Sequence, residues 1–486
     1  MAGVDSSTQS TKVLVVDADD GAVLARGSAP HVVAGAGGAR ESDPRNWWDA
    51  LAAALAATGM AGDVGAISVA AQQHGLVTLD SRGDPVRPAM LWNDVRAARQ
   101  ADELTKALGA QIWARRIGTV PVASITAAKW AWLRVHEAQQ ASRVAAIRLP
   151  HDYLTERLSG EAVTDRGDAS GTGWFSTASG AYDAQVLGLP ALDLDPALLP
   201  EVREPDATAG TVTARAGSEL GMKPGAVVGI GTGDNMAAAL GLGLLPGEPV
   251  ISLGTSGTVY AVSRRRPADP SGVVAGFADA TGAFLPLSAT LNCTQAVDRL
   301  AELLCREREA VQPGGRVVVL PYLDGERTPN LPDAAGLVTG LRHDTSAGQL
   351  LQAAYDGAAY SLLTALDRVS ACGDAIDAAA PLILIGGGAR GTAWRQTIRR
   401  LSGRAVLVPD ADELVAFGAA AQAVAALTGA SAQTVASRRW NTRRGAGYEP
   451  LAADTAALDR ISAALRRARD LLAGGDPRQT VPERDP

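Results

Sequence analysis

The chain has 486 residues, more than one ordinary core serves, so two domains are expected, with three left open. Hydrophobic residues make up 47% and charged residues 20%, a soluble globular profile, and a net charge of -7 without a basic block argues against nucleic acid as the main partner. Three cysteines without CxxC spacing read as reduced thiols and a cytoplasmic setting, five histidines without HxxxH or HExxH pairs offer no structural zinc site, and no apolar run reaches the roughly 18–20 residues that span a membrane.

The opening "MAGVD" is a short apolar run, and "KVLVVDADDGAVLARGSA" reads as strand, turn, strand, with Asp19-Asp20-Gly21 supplying the turn. The start turns polar at once in "SSTQST", which is not the pattern of a signal peptide. "SDPRNWWDALAAALAATG" has the grammar of a helix: Asp43 caps it, Pro44 suits its first turn, and Gly59 suits its exit. Trp47, Leu51 and Leu55 share one face at 3–4 spacing, which predicts a core-facing helix. "VGAISVAAQQHG" is a strand running into a polar tip, "VTLD" with "SRGDP" predicts a hairpin, and helical patterns dominate from about residue 95 to 158.

The pattern restarts after "KPGAVVGIGTGDN". "EPVISLGTSGTVYAVS" is again strand, small-residue loop and strand, so it echoes the opening and suggests a duplication in structure rather than in residues. "PLILIGGGARGTAWRQTIRRLSGRAVLVP" is strand, glycine turn, helix and strand, which is α/β grammar. The break "GLLPGEP" sets the expected boundary, giving domains at 1–244 and 245–450, followed by a C-terminal helix and disordered tail over 451–486, the disorder starting at about Gly474.

Four loops could carry chemistry. In "VDSSTQSTK", Asp5 ends a strand, hydroxyls follow and Lys12 closes the loop. Such a turn can hold a phosphate, and its carboxylate can hold hydrated Mg²⁺; a plain polar hairpin is the alternative. In "SLGTSGTV", Gly254 and Gly257 let backbone approach a ligand, while Thr255 and Ser256 can donate. "LIGGGARGTAW" suits a nucleoside lying on backbone at a helix N-terminus, although it is neither G-x-G-x-x-G nor GxxxxGK[ST]. In "GIGTGDN", Asp234 stands either as the N-cap of an alanine-rich helix or as a base at the mouth of a cleft. Gln73 and His74 at the tip of "VAAQQHG" suit hydrogen bonding to a polyol. Together the loops supply what phosphoryl transfer needs: a phosphate cradle, a metal carboxylate, a base and a closing cleft.

At this point the sequence resembles the FGGY family of carbohydrate kinases over about residues 2–450. "GLVTGLRHDTSAGQLLQAAYD" fits the family's C-terminal signature, and "SITAAKWAWLRVHE" fits the N-terminal one except at Val135. The resemblance implies two actin/hexokinase-like (ribonuclease H-like) α/β domains flanking a central cleft, the first mainly for sugar and the second mainly for ATP. It implies Asp234 as catalytic base, with Gln73, His74, Asp234 and Asn235 on the sugar. It implies Thr8, Gln9, Ser10, Lys12, Thr255, Gly388 and Thr392 on the nucleotide, and Asp5 with Asp234 on Mg²⁺. Ser7 stands where the first loop usually has glycine, and Thr392 where many members carry asparagine. "AQQHG", "LWND", "LPHDYLTERLSGE", "TDRGDASGT", "GTGDN" and "YLDGERTP" point within the family to D-xylulose, phosphorylated to D-xylulose 5-phosphate. Ribulose, gluconate or glycerol as acceptor, and a non-catalytic ATP-dependent module of the actin or chaperone type, stay open on the residues alone, as does a homodimer. Neither nucleic acid nor membrane is an expected partner.

Overall fold

The structure, a computed structural model, describes residues 1–472. The described chain divides into two compact units. The first comprises Met1–Leu245, Val262–Pro286 and Ala411–Arg444; the second comprises Pro246–Ala261, Leu287–Asp410 and Gly445 onward.

The core of the first unit is a sheet whose central strand is Ala2–Ser6, five residues with every side chain buried. That strand pairs antiparallel with Ser10–Val16, which pairs in turn with Val23–Pro30. On its other side it pairs parallel with Ala66–Ala71, and beyond that lie Val227–Gly229 (parallel) and Thr208–Thr211 (antiparallel). The central strands are apolar in nearly every position because they are covered on both faces. The helix Pro44–Thr58 forms as its grammar predicts: Asp43 accepts a hydrogen bond from the Arg45 N–H, Gly59 closes the helix at φ 66°, and Trp47, Leu51 and Leu55 are fully buried. The 95–158 stretch holds Ala98–Leu108, Ala110–Arg116, Thr126–His136 and Pro150–Ser159. The expected hairpin after "VTLD" forms as a short one: Leu79 bridges Pro85 antiparallel across the "SRGDP" turn, the Asp80 N–H donates to the Asp84 carbonyl at 2.9 Å and the Val86 N–H to the Thr78 carbonyl at 2.8 Å, while Val77–Leu79 also pairs with Ala146–Arg148.

The second unit repeats the first. Pro249–Leu253 pairs antiparallel with Gly257–Ala261 and parallel with Leu382–Ile385, as Ala2–Ser6 does with its two neighbours. Residues 287–290 of Phe284–Thr290 flank the hairpin, and Val406–Pro409 (parallel) and Gly445–Tyr448 (antiparallel) extend the far side. Strand order and direction match in the two units. The match covers six strands of each sheet, and the chain position of the antiparallel edge differs: it precedes its neighbour in the first unit and follows it in the second.

The expected boundaries differ from this division, because residues 411–444 and 262–286 group with the first unit. The reason is packing. The helix Leu414–Thr428 is alanine-rich and buries Ala416, Ala419, Ala420 and Ala423 completely. It lies against the strands Ala2–Ser6 and Ala66–Ala71 and against the helix Asp234–Gly241. The approach is so close that a Cβ on Gly418 would sit 2.0 Å from the Ala237 carbonyl oxygen. The C-terminal helix is Thr455–Leu472, and it buries Ile461, Ala464 and Ala468 beside Val318–Leu320. The tail expected to be disordered from Gly474 lies outside the described residues. Among the described residues no helix is long and apolar enough to cross a membrane, and no disulfide joins Cys293, Cys305 and Cys372.

Candidate active site

In the first unit the parallel strands deliver their chemistry at their C-terminal ends, the usual place for ligands on such sheets. Asp5 sits one residue before the end of Ala2–Ser6, opposite Lys12 on the hairpin and Ala70 on the parallel neighbour. Gln73 and His74 follow Ala66–Ala71. Thr232–Gly233 pairs with the end of that same strand and delivers Asp234. A Cβ on Gly233 would meet the Gln73 side chain at 2.6 Å, so only glycine lets the two loops touch.

Asp234 is the first residue of the helix Asp234–Gly241. The N-cap position belongs to Gly233, with extended backbone at φ −71°, ψ 154°, and it has no side chain to cap with. The reading of Asp234 as the N-cap is therefore corrected. Its Oδ1 accepts from the Asn235 backbone N–H at 2.8 Å and from Asn235 Nδ2 at 2.9 Å. Asn235 Nδ2 also donates to Gln73 Oε1 at 2.9 Å, so the three side chains lock one another. Asp234 keeps an edge open to solvent while protein packs closely around it. That burial, then the charges of Asp5 and Asp168, raises its pKa to about 7.

Asp5 is buried, and burial raises it to about 6 against the opposing pull of Ser7 and Lys12. Ser7 Oγ donates to Asp5 Oδ1 at 2.5 Å, and the Ser7 N–H closes the turn on the Ser10 carbonyl at 3.0 Å. The residue that departs from the usual glycine thus steadies the carboxylate beside it. Elsewhere in the loop, Thr8 Oγ1 accepts from Trp92 Nε1 at 3.0 Å, and the Gln9 carbonyl accepts the His31 N–H. Lys12 Nζ pairs with Glu413 at 2.8 Å. Burial alone would lower the Lys12 ammonium, but the hydrogen bond and charge of Glu413 outweigh it and raise it.

In the second unit the hairpin tip carries Thr255, which is exposed. The tip is anchored by Thr294, whose N–H and Oγ1 both donate to the Gly254 carbonyl. Gly388 packs under this hairpin against Leu253 and Thr294. Thr392 opens the helix Thr392–Ser402 and is exposed, its Oγ1 accepting from Arg395. The Ala393 N–H in the first turn of that helix already donates to Glu309 at 2.8 Å.

Behind Asp234 lies a group that the sequence reading quoted but assigned no role. His151 is fully buried. Its Nδ1 meets Asp168 at 2.7 Å, and its Nε2 lies 3.2 Å from Asp152 and 3.8 Å from Asp165. Burial alone would lower the imidazole, but these carboxylates raise it to about 9. Asp165 also receives Thr232 Oγ1 at 2.7 Å and the N–H groups of Gly167 and Asp168. Asp168 is raised by burial, with His151 and the Gln73 amide drawing it back. Two polar groups thus meet the site: His151 with Asp165 and Asp168, and Gln73 with Asn235 and Asp234. "LPHDYL" and "TDRGDASGT" contain these residues, but nothing in their spacing says that they meet.

Residues 1–241 match the N-terminal domain, and residues 250–427 the C-terminal domain, of the FGGY family of carbohydrate kinases. The chain is 63% identical over 474 residues to a xylulose kinase of Streptomyces coelicolor, covering 97% of each chain. It is 61% identical over 477 residues to a xylulose kinase of Streptomyces rubiginosus, covering 98% of each. Among solved structures, the xylulose kinase from Bifidobacterium adolescentis is similar with a TM-score of 0.84 at 34% identity, over 96% of this chain and 99% of that one. The chain is therefore an ATP-dependent carbohydrate kinase built of actin/hexokinase-like α/β units, and it belongs to the FGGY family of carbohydrate kinases.

Proposed function

We propose that this chain transfers the γ-phosphoryl group of ATP to the terminal hydroxyl of D-xylulose, giving D-xylulose 5-phosphate, with Asp234 as general base. The observation that carries the mechanism is the state of Asp234: half-buried, fixed by Asn235, and raised to about 7 by burial and by Asp5 and Asp168. A base poised near neutrality takes a hydroxyl proton most effectively, an effect typically worth about 10²–10⁴-fold. In this reading Asp234 accepts the proton as the sugar oxygen attacks phosphorus. Gln73, His74 and Asn235 hold the acceptor. Thr8, Gln9, Ser10 and Lys12, with Thr255, hold the phosphates, and Gly388 with Thr392 faces the nucleoside.

Asp5 and Asp234 fit a hydrated Mg²⁺. Both are hard oxygen donors, and each is raised in pKa by burial, a strain on two carboxylates that a divalent cation relieves. Among the described residues no group of three or more His, Cys, Asp or Glu forms a complete cage, which suits an ion that keeps waters and phosphate oxygens as ligands. When bound, the ion neutralises charge on the transferring phosphate. A cytoplasmic setting belongs to the same reading, since three cysteines outside any disulfide suit a reducing compartment.

The acceptor rests on the similarity to xylulose kinases at 61–63% identity over nearly the whole chain. The test is ADP release with D-xylulose, D-ribulose, L-ribulose, gluconate and glycerol. D-xylulose is expected to have the highest kcat/KM. Another sugar ahead by about tenfold, about the worth of one good hydrogen bond, would overturn the acceptor assignment and leave the kinase class intact.

A further inference from the structure

His74 has a left-handed backbone, φ 67°, which is strained for a residue with a Cβ. Such strain persists only where surrounding contacts impose it. Here they come from two sides. The His74 carbonyl accepts from Lys129 Nζ at 2.8 Å and from Thr126 Oγ1 at 3.1 Å, both in the first turn of the helix Thr126–His136. The imidazole Nδ1 lies 3.0 Å from the Gly171 carbonyl oxygen. A carbonyl only accepts, so Nδ1 carries the proton and, in the neutral ring, Nε2 carries the lone pair. Glycine is required at 171, because a Cβ there would lie 2.4 Å from Nδ1. The ring of Phe277 flanks the imidazole, its centroid 5.5 Å away.

Lys129 is the unusual member. It is fully buried, and its ammonium is held by two backbone carbonyls, those of His74 and Ser124. Burial lowers its pKa to about 7, with the charge of Asp94 pulling the other way. Burying an ammonium on carbonyl oxygens alone is costly, and a methionine would fill the same space without that cost. Core packing therefore does not explain the residue, whereas a fixed loop does.

We propose that Lys129 and Thr126 are positioning residues for the acceptor sugar: they clamp the His74 carbonyl, impose its left-handed backbone, and so aim its imidazole at the sugar. The proposal rests on the assignment of His74 to the sugar. Lys129→Met is expected to raise the KM and calorimetric Kd for D-xylulose by about tenfold or more, the worth of a hydrogen bond to a charged group. Thr126→Val should raise them about threefold, as for a neutral hydrogen bond, and Thr126→Ser, which keeps the hydroxyl, should restore them. The KM for ATP should stay put in all three, because a general loss of structure would move it as well. If Lys129→Met does not fold, the Val and Ser pair at 126 decides. His74→Ala separates the two layers of the argument. If it weakens sugar binding while Lys129→Met and Thr126→Val leave it unchanged, the clamp is wrong and the sugar assignment stands. If His74→Ala itself leaves sugar binding unchanged, the sugar assignment falls and the clamp falls with it.

Discussion

At the residue scale, charge that the fold has buried dominates the site. The His151 cluster gives a pH-dependent stability whose sign can be worked out. The imidazole rises from its ordinary 6.5 to about 9 in the folded state. The folded chain then binds a proton that the unfolded chain has released, so this stabilisation is whole below pH 6.5 and is lost as pH climbs through 9. Asp165, raised to about 6, acts with the same sign at lower pH: its share is whole below 3.8 and gone above 6. Measured in thermal melts as the difference between wild type and His151→Gln, the His151 share should fall between pH 6.5 and 9.5 by on the order of 3 kcal/mol, whereas Lys129, lowered to about 7, acts with the opposite sign in both proteins. His151→Gln should be less stable than wild type at pH 6.5, and the gap should close across that window. A variant that tracks wild type across the window would show that His151 is neutral in the folded protein. What was legible at this scale were residues that sit in their own loops. Asp5 lies at the end of a strand, and Gln73, Asp234 and Asn235 follow strand ends, which can be read from pattern. Glu413 could not be found that way, because its partner Lys12 is 401 positions away. Ser7 was noticed only as a departure from glycine, and its hydrogen bond to Asp5 gives it a purpose.

At the element scale, the helix behind Asp234 carries as much of the argument as the carboxylate. Its neighbour Leu414–Thr428 approaches with backbone against backbone. Gly418→Val has no room, since its Cβ would meet the Ala237 carbonyl at 2.0 Å, and the two helices must part. The expected result is a melting temperature lower by several degrees, for a cost of about 1–3 kcal/mol, with kcat falling more than ATP KM changes because Asp234 rides on the displaced helix. Gly447→Ala, with nothing within 4 Å of its Cβ, is the control and should stay near wild type in both. Equal behaviour of the two variants would mean that this crossing does not position the base. The alanine content of both helices was visible in the sequence, but their meeting was not, because 411–428 lies far along the chain from 234–241. The "VTLD" hairpin is legible because its turn chemistry is local, whereas the pairing of Val77–Leu79 with Ala146–Arg148 is not.

For the whole molecule, duplication is the organising fact. Each unit places a hairpin at the first and second strands of the same 3-2-1-4-5 order, with Asp5 and Lys12 flanking one tip and Thr255 on the other. The echo between "VDSSTQSTK" and "SLGTSGTV" was legible because strand–loop–strand is a local pattern. The return of residues 411–444 to the first unit was not, because only burial against Ala2–Ser6 and Ala66–Ala71 reveals it. On this account the duplicated frame serves one carboxylate, so the most direct measurement is Asp234→Asn. The amide keeps an oxygen for the Asn235 N–H and matches the volume of the acid, but it cannot take a proton. With melting temperature, D-xylulose affinity and turnover measured on one preparation, the account predicts little change in the first two and a kcat lower by about 10²-fold or more. An Asp234→Asn protein that phosphorylates D-xylulose at near wild-type rate would contradict it.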